Sequence, residues 1–369
     1  MKDTDILNFS VQINDGLTQT SGDGISMAFD EKYGIMFCAY MPGPQGTYGE
    51  SRGRVSLTYF PAAQPTNSET VDVIVEKDVY CPNILSLCDG KVRVFYEKDS
   101  RADCDHFIGY KDFDFINRSL SEEKIVMLKK DDGSVVPLTG SEQFDYLHKH
   151  GFFGQEYKCS EQIIIGSHTI FRAGDGYSYG VITSYLAEPV LYRSKDNNAT
   201  VEFFAICPYA AQYEMDYGFV NGKIMGVYRT PSERDSIFFV SSDDNGKTWS
   251  KPYLIKDSVS CRPRLIKYAG GALVIANHFN DDTGNRPAIQ QGRTCVRFYI
   301  VKDGVPDEKT MVKELYSKYG IVNVSAVEIL NDVYFAYSTS RLAIEYHNGT
   351  PKVRGKDAVR YVNLGDLTE

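Results

Sequence analysis

The chain has 369 residues, a formal net charge of −9, 26 tyrosines, 20 phenylalanines and a single tryptophan. Acidity of this size argues against nonspecific nucleic-acid binding, and no apolar run approaches the ~20 residues that cross a bilayer. Residues 1–5 carry no apolar leader, so a cytoplasmic protein is expected, or a secreted or periplasmic one if a leader has been removed. The eight cysteines (Cys38, Cys81, Cys88, Cys104, Cys159, Cys207, Cys261 and Cys295) are scattered without a C-x-x-C pair. They are expected to be small buried thiols rather than a disulfide framework.

Along the chain one unit recurs: apolar strand, short turn containing Gly, Asn or Asp, second apolar strand. The turns are Lys32-Tyr33-Gly34, Asp89-Gly90, Ile165-Gly166, Asn221-Gly222, Gly270-Gly271 and Asn331-Asp332. Their spacing of roughly 50 to 75 residues is near the period of propeller blades. The second strands are rich in β-formers, as in Ile35-Met36-Phe37-Cys38-Ala39-Tyr40 and Val333-Tyr334-Phe335-Ala336-Tyr337. No long segment has a helical period, although 119–126 is expected to form a helical turn. Residues 129–150 are polar, with Gly133, Pro137 and Gly140, and are expected to be an insertion over one rim. Ring closure is expected between 6–13 and 359–364. These features predict one all-β domain over 1–369, a ring of six antiparallel sheets.

The segment from Ser242 to Trp249 reads S-x-D-x-G-x-T-W. Its Ser and Asp oxygens can accept backbone N–H groups, Gly246 can take positive φ, and Trp249 can plug the loop from beneath. The pattern resembles the Asp-box (BNR repeat) of sialidases and related β-propellers. That resemblance implies a six-bladed β-propeller of sialidase type, with the box on the outer side of a blade, away from the active site.

In a propeller the innermost strands start on one face, and their hairpin partners return to it. Rim residues therefore lie about eight before and about seven after each turn, given strands of ~5–6 residues. The upstream set is Asp23, Tyr80-Cys81, Tyr157, Tyr213-Glu214, Arg262 and Asn323. The downstream set is Met41, Glu97, Arg172, Arg229, His278 and Tyr337-Ser338. Arginine forks suit a carboxylate, aromatics pack on sugar faces, and Glu or His supplies proton transfer. Arg262 and Arg264 flank Pro263 on one strand and are expected to face the same side.

The run from Tyr213-Glu214 through Asn221-Gly222 to Arg229 and the Ser242 box is similar to one sialidase blade. The resemblance implies that Glu214 assists a tyrosine nucleophile and that Arg229 grips the sugar carboxylate. Glu214 is one residue closer to the turn than the family spacing, so strict counting gives Tyr213. The resemblance also implies a further arginine, Arg262 or Arg264, and a tyrosine in a Y-S context, which Tyr337-Ser338 matches. The family's N-terminal F/Y-R-I-P segment is absent. An aspartic acid protonates the leaving oxygen in the family, and Asp23 is the candidate at the channel mouth, although Gly-Asp-Gly is also an ordinary turn. His278 is a candidate for proton transfer or ligand contact, and Glu97 and Arg172 for substrate binding. His106 beside Asp105 is read as a turn residue, and His148 and His150 alternate as metal ligands on a strand would but lack the carboxylate or Cys partners of a zinc site. No metal or cofactor is expected.

The expected function is a sialidase-like exo-glycoside hydrolase acting on a carboxylate-bearing terminal sugar. The rivals are a lyase or hydrolase for uronic-acid oligosaccharides, in which a His or Tyr abstracts the proton beside the carboxylate, and a non-catalytic glycan-binding propeller.

Overall fold

The second strand Ile35–Met41 has no polar residue and is buried from Met36 onward. Such a strand needs an apolar neighbour on each side. Met36, Cys38 and Tyr40 enter one core with Ala336, Val359 and Tyr361. Phe37, Ala39 and Met41 enter another with Ile84, Val94 and Tyr96. Alternate residues thus serve the two flanking sheets, and the period of 2 is masked because both faces are apolar.

The computed structural model describes residues 5–13, 23–42, 53–77, 79–100, 105–152, 163–164, 170–172, 175–184, 187–209, 214–229, 236–259, 261–278, 294–317, 320–339, 344–347, 350–353 and 358–369. Six of their seven sheets are arranged as the blades of a propeller, the seventh being the hairpin Ile344–His347 and Thr350–Val353, with one hydrophobic core between each pair of neighbouring blades. Fully burying each Val, Leu, Ile or Phe there contributes about 1.5–3 kcal/mol.

Blade 1 is Asp23–Asp30, Ile35–Met41, Arg54–Pro61 and Glu69–Val75. Blade 2 begins with Val79–Ser86, Lys91–Ser100 and Asp105–Asp114. Blade 3 is Ile163–Ile164 with Phe171–Arg172, then Ser178–Ser184, Ala187–Ser194 and Thr200–Ile206. Blade 4 is Met215–Val220, Lys223–Arg229, Ile237–Ser242 and Tyr253–Leu254. Blade 5 is Arg264–Tyr268, Gly271–His278, Cys295–Val301 and Met311–Tyr316. Blade 6 takes Val322–Ile329, Asp332–Thr339 and Ala358–Asp366 from the C-terminal part, and Val11–Gln12 from the N-terminal part. Val11 pairs with Tyr361 and Gln12 with Arg360, which closes the ring where the sequence predicts.

Five of the six predicted turns join an inner strand to its partner. At Asn221-Gly222 both residues have positive φ, 52° and 79°, as a two-residue hairpin turn requires. The sixth, Ile165-Gly166, lies outside the described residues. In blade 3 both Ile163–Ile164 and Phe171–Arg172 pair with Ser178–Ser184, so that turn falls after Arg172.

Two further expectations change. Residues 119–126 form short strands, Ser119–Leu120 and Lys124–Ile125, on the edge of blade 2. Segment 129–150 is not a bare loop. Met127–Lys129 adds in parallel to the outer edge of blade 3 and pairs with Val135–Pro137. A helix, Gly140–Lys149, follows, capped by the Thr139 side chain. Its Phe144 and Leu147 pack on Val190 and Ile206 of blade 3. His148 and His150 therefore sit at a helix end and not on a strand. Among the described residues no helix is long and apolar enough to cross a membrane.

The Ser242 turn closes on itself as its residue types require. Ser242 Oγ accepts from Gly246 N at 2.8 Å, and Asp244 accepts from Thr248 N at 2.8 Å and Thr248 Oγ1 at 2.7 Å. These bonds hold the Asp244 carboxyl down at about 2. Trp249 Nε1 donates to Ile206 O of blade 3 at 3.0 Å. The same circuit recurs in blade 3, unnoticed in the sequence. Ser194 Oγ accepts from Asn198 N at 2.9 Å and Asp196 Oδ1 from Thr200 N at 2.8 Å. There Asn198, at φ 61°, replaces the glycine. The signal was S-x-D-x-N-x-T, hidden by the Gly-to-Asn exchange and the missing Trp.

Buried thiols are found at Cys38, Cys207, Cys261 and Cys295, while Cys81 is half-buried and Cys88 exposed. Burial pushes Cys38 and Cys295 up to about 12. Cys104 and Cys159 lie outside the described residues.

Candidate functional site at the channel mouth

Inner strands start, and their partners end, on one face of the ring. In blade 4 this places Glu214 directly across from Arg229, whose N–H donates to Glu214 O at 3.1 Å. Facing residues on paired strands share a side of the sheet, so the spacing offset does not part them. Arg229 Nε lies 2.5 Å from Glu214 Oε2. From blade 5, Arg262 Nε donates to Glu214 Oε1 at 3.2 Å. One carboxylate thus bridges two guanidiniums from two blades, and all three side chains are largely buried. Charge-assisted bonds of this kind orient the planar forks.

Arg264, two residues on, is not at the mouth. Its Nε donates to Val324 O of blade 6 at 2.6 Å and its Nη2 to Ile25 O of blade 1. Asp216 of blade 4 lies 4.0 Å from Nη1 and also accepts from Leu265 N at 2.9 Å. Arg264 therefore spans the axis and ties four inner strands together. Burial pushes its guanidinium down to about 10, against the pull of Asp216. The strand begins only at Arg264, so Arg262 precedes it, and the two side chains do not share the expected face but go to different partners.

Blades 1, 2 and 6 share an irregularity at the mouth. Their pairing registers break between Asp23 and Ser26, Tyr80 and Asn83, and Val322 and Ser325. In each break sits a residue of positive φ: Gly24 at 65°, Cys81 at 53° and Asn323 at 50°. The bulges bring Ser26 Oγ to Asn83 Oδ1 at 2.8 Å and Ser325 Oγ to Met27 N at 3.1 Å, a polar belt near the Arg264 plug. Bulges re-aim side chains and cluster near functional sites.

Other sequence candidates are placed as follows. Glu97, opposite Tyr80 on the second strand of blade 2, is on the mouth face and wholly buried. Its Oε1 is 3.1 Å from His106 Nδ1, and Tyr80 OH is 3.1 Å from the same nitrogen. His106 is thus a strand residue meeting Tyr80 and Glu97, not the turn residue expected. Asp23 begins the inner strand of blade 1, and its side chain lies outside the described residues, as does Tyr213.

Three candidates are elsewhere. Arg172 ends its inner strand at the opposite face, where its Nη2 donates to Ser86 O at 2.9 Å and Asn197 Oδ1 at 2.7 Å. It was misplaced because the true turn of blade 3 follows it. There it lines a funnel of about 610 Å³ formed by the far halves of the inner strands, with Phe29, Phe171 and Lys267 among its walls. Tyr337 is fully buried in the core between blades 5 and 6, stacked on Phe335. Its hydroxyl meets Ser10 Oγ at 2.9 Å, and burial pushes it up to about 12. His278 is likewise fully buried, with Nε2 2.8 Å from Tyr299 OH. Burial, with Arg297 beside it, pushes the imidazole down to about 3. Both residues satisfy the strand count but face the inter-blade cores.

No family model matches the chain, and no curated protein matches it. Solved structures do. Trypanosoma rangeli sialidase in complex with sialic acid superposes with a TM-score of 0.58 over 97% of this chain at 10% identity. The same enzyme in complex with 2,3-difluoro-KDN gives 0.60 over 94% at 11% identity. A K499G mutant of NanB sialidase from Streptococcus pneumoniae gives 0.57 over 98% at 12% identity. The chain spans 57% and 54% of the length of those two trypanosomal chains and 71% of the NanB chain. At such identity the likeness concerns the fold: the chain is a six-bladed β-propeller of sialidase type.

Proposed function

We propose that this propeller is a glycoside hydrolase that removes a terminal sugar bearing a carboxylate. The observation that carries the reading is the Arg229–Glu214–Arg262 bridge at the mouth. Two guanidiniums held on one buried carboxylate present planar, charge-assisted donors, the kind of group that suits a sugar carboxylate. In this reading Glu214 orients the arginines, which bind the sugar acid. The structural neighbours named for sialic acid and a KDN derivative support an acidic nine-carbon sugar as the first substrate to try. The Ser242 and Ser194 turns, read as one full and one degenerate Asp-box, agree with it.

Tyr337 is not retained as nucleophile, since its hydroxyl lies in a core between blades. Asp23 is retained as a mouth residue by strand position alone. The test is release of free sugar from glycosides of sialic acid and glucuronic acid and from their neutral analogues. Turnover of the neutral compounds alone would sink the reading. One observation favours a second reading, a lyase: the Tyr80–His106 pair on the same face. A lyase would yield an unsaturated, ultraviolet-absorbing product, and a hydrolase would not.

A further inference from the structure

The funnel at the far end of the channel is a second cavity, on the face opposite the arginine bridge. It holds about 610 Å³, within the ~300–1,000 Å³ usual for small-molecule sites. Its lining includes Ser26 and Ser325, the chain neighbours of the Ile25 and Val324 carbonyls that hold Arg264. The buried Arg264 fork therefore lies between this funnel and the mouth.

The walls carry opposite charges on opposite blades. Arg172 of blade 3 is exposed on one side and fixed by Ser86 O at 2.9 Å and Asn197 Oδ1 at 2.7 Å. Both acceptors are uncharged, so the guanidinium is held without being neutralised. Blade 6 stands across the axis from blade 3 and supplies Glu328. Its Oε1 accepts from Asn331 N at 3.0 Å, again an uncharged partner. Glu31, just past the inner strand of neighbouring blade 1, and Lys267 of blade 5 also line the funnel and are exposed. Among the described residues neither makes a hydrogen bond or ion pair. A third carboxylate, Asp175, is already engaged by Tyr179 OH at 2.5 Å and Tyr177 N at 3.0 Å. Three half-buried rings complete the walls: Phe29 of blade 1, and Phe171 and Phe219 of blades 3 and 4, whose centroids are 6.2 Å apart.

We propose that this funnel is a binding site for a small zwitterion with an apolar body, a short hydrophobic peptide with both ends free. Its carboxylate lies toward Arg172 and Lys267, its ammonium group toward Glu328 and Glu31, and its side chains against the three rings. A ligand of one charge sign meets one wall of like sign, whereas a zwitterion satisfies both.

The probe is the dipeptide phenylalanyl-leucine, titrated calorimetrically into the full chain beside its N-acetyl and its C-terminal amide forms. The free dipeptide is expected to bind, and each blocked form to bind about tenfold or more weakly. Glu328→Gln, which can keep the Asn331 bond, is expected to weaken the dipeptide and the amide form but not the N-acetyl form. Arg172→Gln is expected to weaken the dipeptide and the N-acetyl form but not the amide form. Misfolding would instead weaken every peptide alike. No binding of the dipeptide at millimolar concentration, equal affinity for the three forms, or variants that weaken all three alike would overturn the assignment. So would loss of dipeptide binding in Arg229→Ala, which would place the peptide at the mouth. Sugar turnover does not enter these measurements, so the hydrolase reading stands or falls separately.

Discussion

Arg262 and Arg264 are separated by one proline, yet they belong to two different regions. Arg262 is at the channel mouth, with its Nε on a glutamate that also holds an arginine from the next blade. Arg264 is on the axis, with its fork spent on main-chain carbonyls of two other blades. A guanidinium on a side chain is a candidate for ligand binding. One whose donors are committed to backbone is part of the frame. The difference lies in the partners and not in burial, for both are nearly inaccessible.

Substitutions can break this contrast. The largest effect is expected at Arg264→Met, which leaves Asp216 and two carbonyls without their partner. Removing one member of a buried pair costs about 3–5 kcal/mol, read as a lower denaturant midpoint. If the midpoint holds and only ligand binding falls, Arg264 belongs to the mouth instead. Next is Arg229→Ala or Arg262→Ala, each expected to cost an acidic sugar about 2–5 kcal/mol of binding. The neutral analogue serves as control, and the midpoint should fall by less than with Arg264→Met, because Glu214 keeps its second guanidinium. Arg229→Lys should also weaken binding, since a point charge does not reproduce a fork.

A smaller effect should follow from pH. His278 has a folded-state value of about 3, below its unfolded value of 6.5. The unfolded chain therefore binds more protons in that window, and stability falls as pH drops from 6.5 toward 3. His278→Gln should flatten the fall, as measured by melting temperature against pH. If the slope is unchanged, His278 is not a buried neutral residue and returns as a proton-transfer candidate. The smallest effect is expected at Arg118→Ala. Its pairing with Glu69 at 2.9 Å is on the surface, where such pairs are worth about 0–1 kcal/mol. Neither stability nor sugar binding should move measurably.

Much of the fold was legible because its signals are local. A two-residue Asn-Gly turn, a six-residue apolar strand and the S-x-D-x-G-x-T-W loop each satisfy their own backbone groups, so residue type suffices. Spacing from these turns also brought out Glu214, Arg229 and Arg262, which meet in space. Counting failed where a local irregularity shifts it. The interrupted inner strand of blade 3 moved Arg172 to the far face.

The amino-acid sequence by itself determined that short strands alternate with tight turns, that the ring closes between its two ends, and which residues stand near strand ends. Tertiary structure alone decided where those side chains go. A strand end in a propeller has an axis on one side and an inter-blade core on the other. Tyr337 took the core between blades 5 and 6, and His278 a fully buried place against Tyr299. Glu214 took the mouth, because two guanidiniums there offset the cost of desolvating its charge. Position along the chain does not carry that distinction: it depends on which groups the neighbouring blades supply.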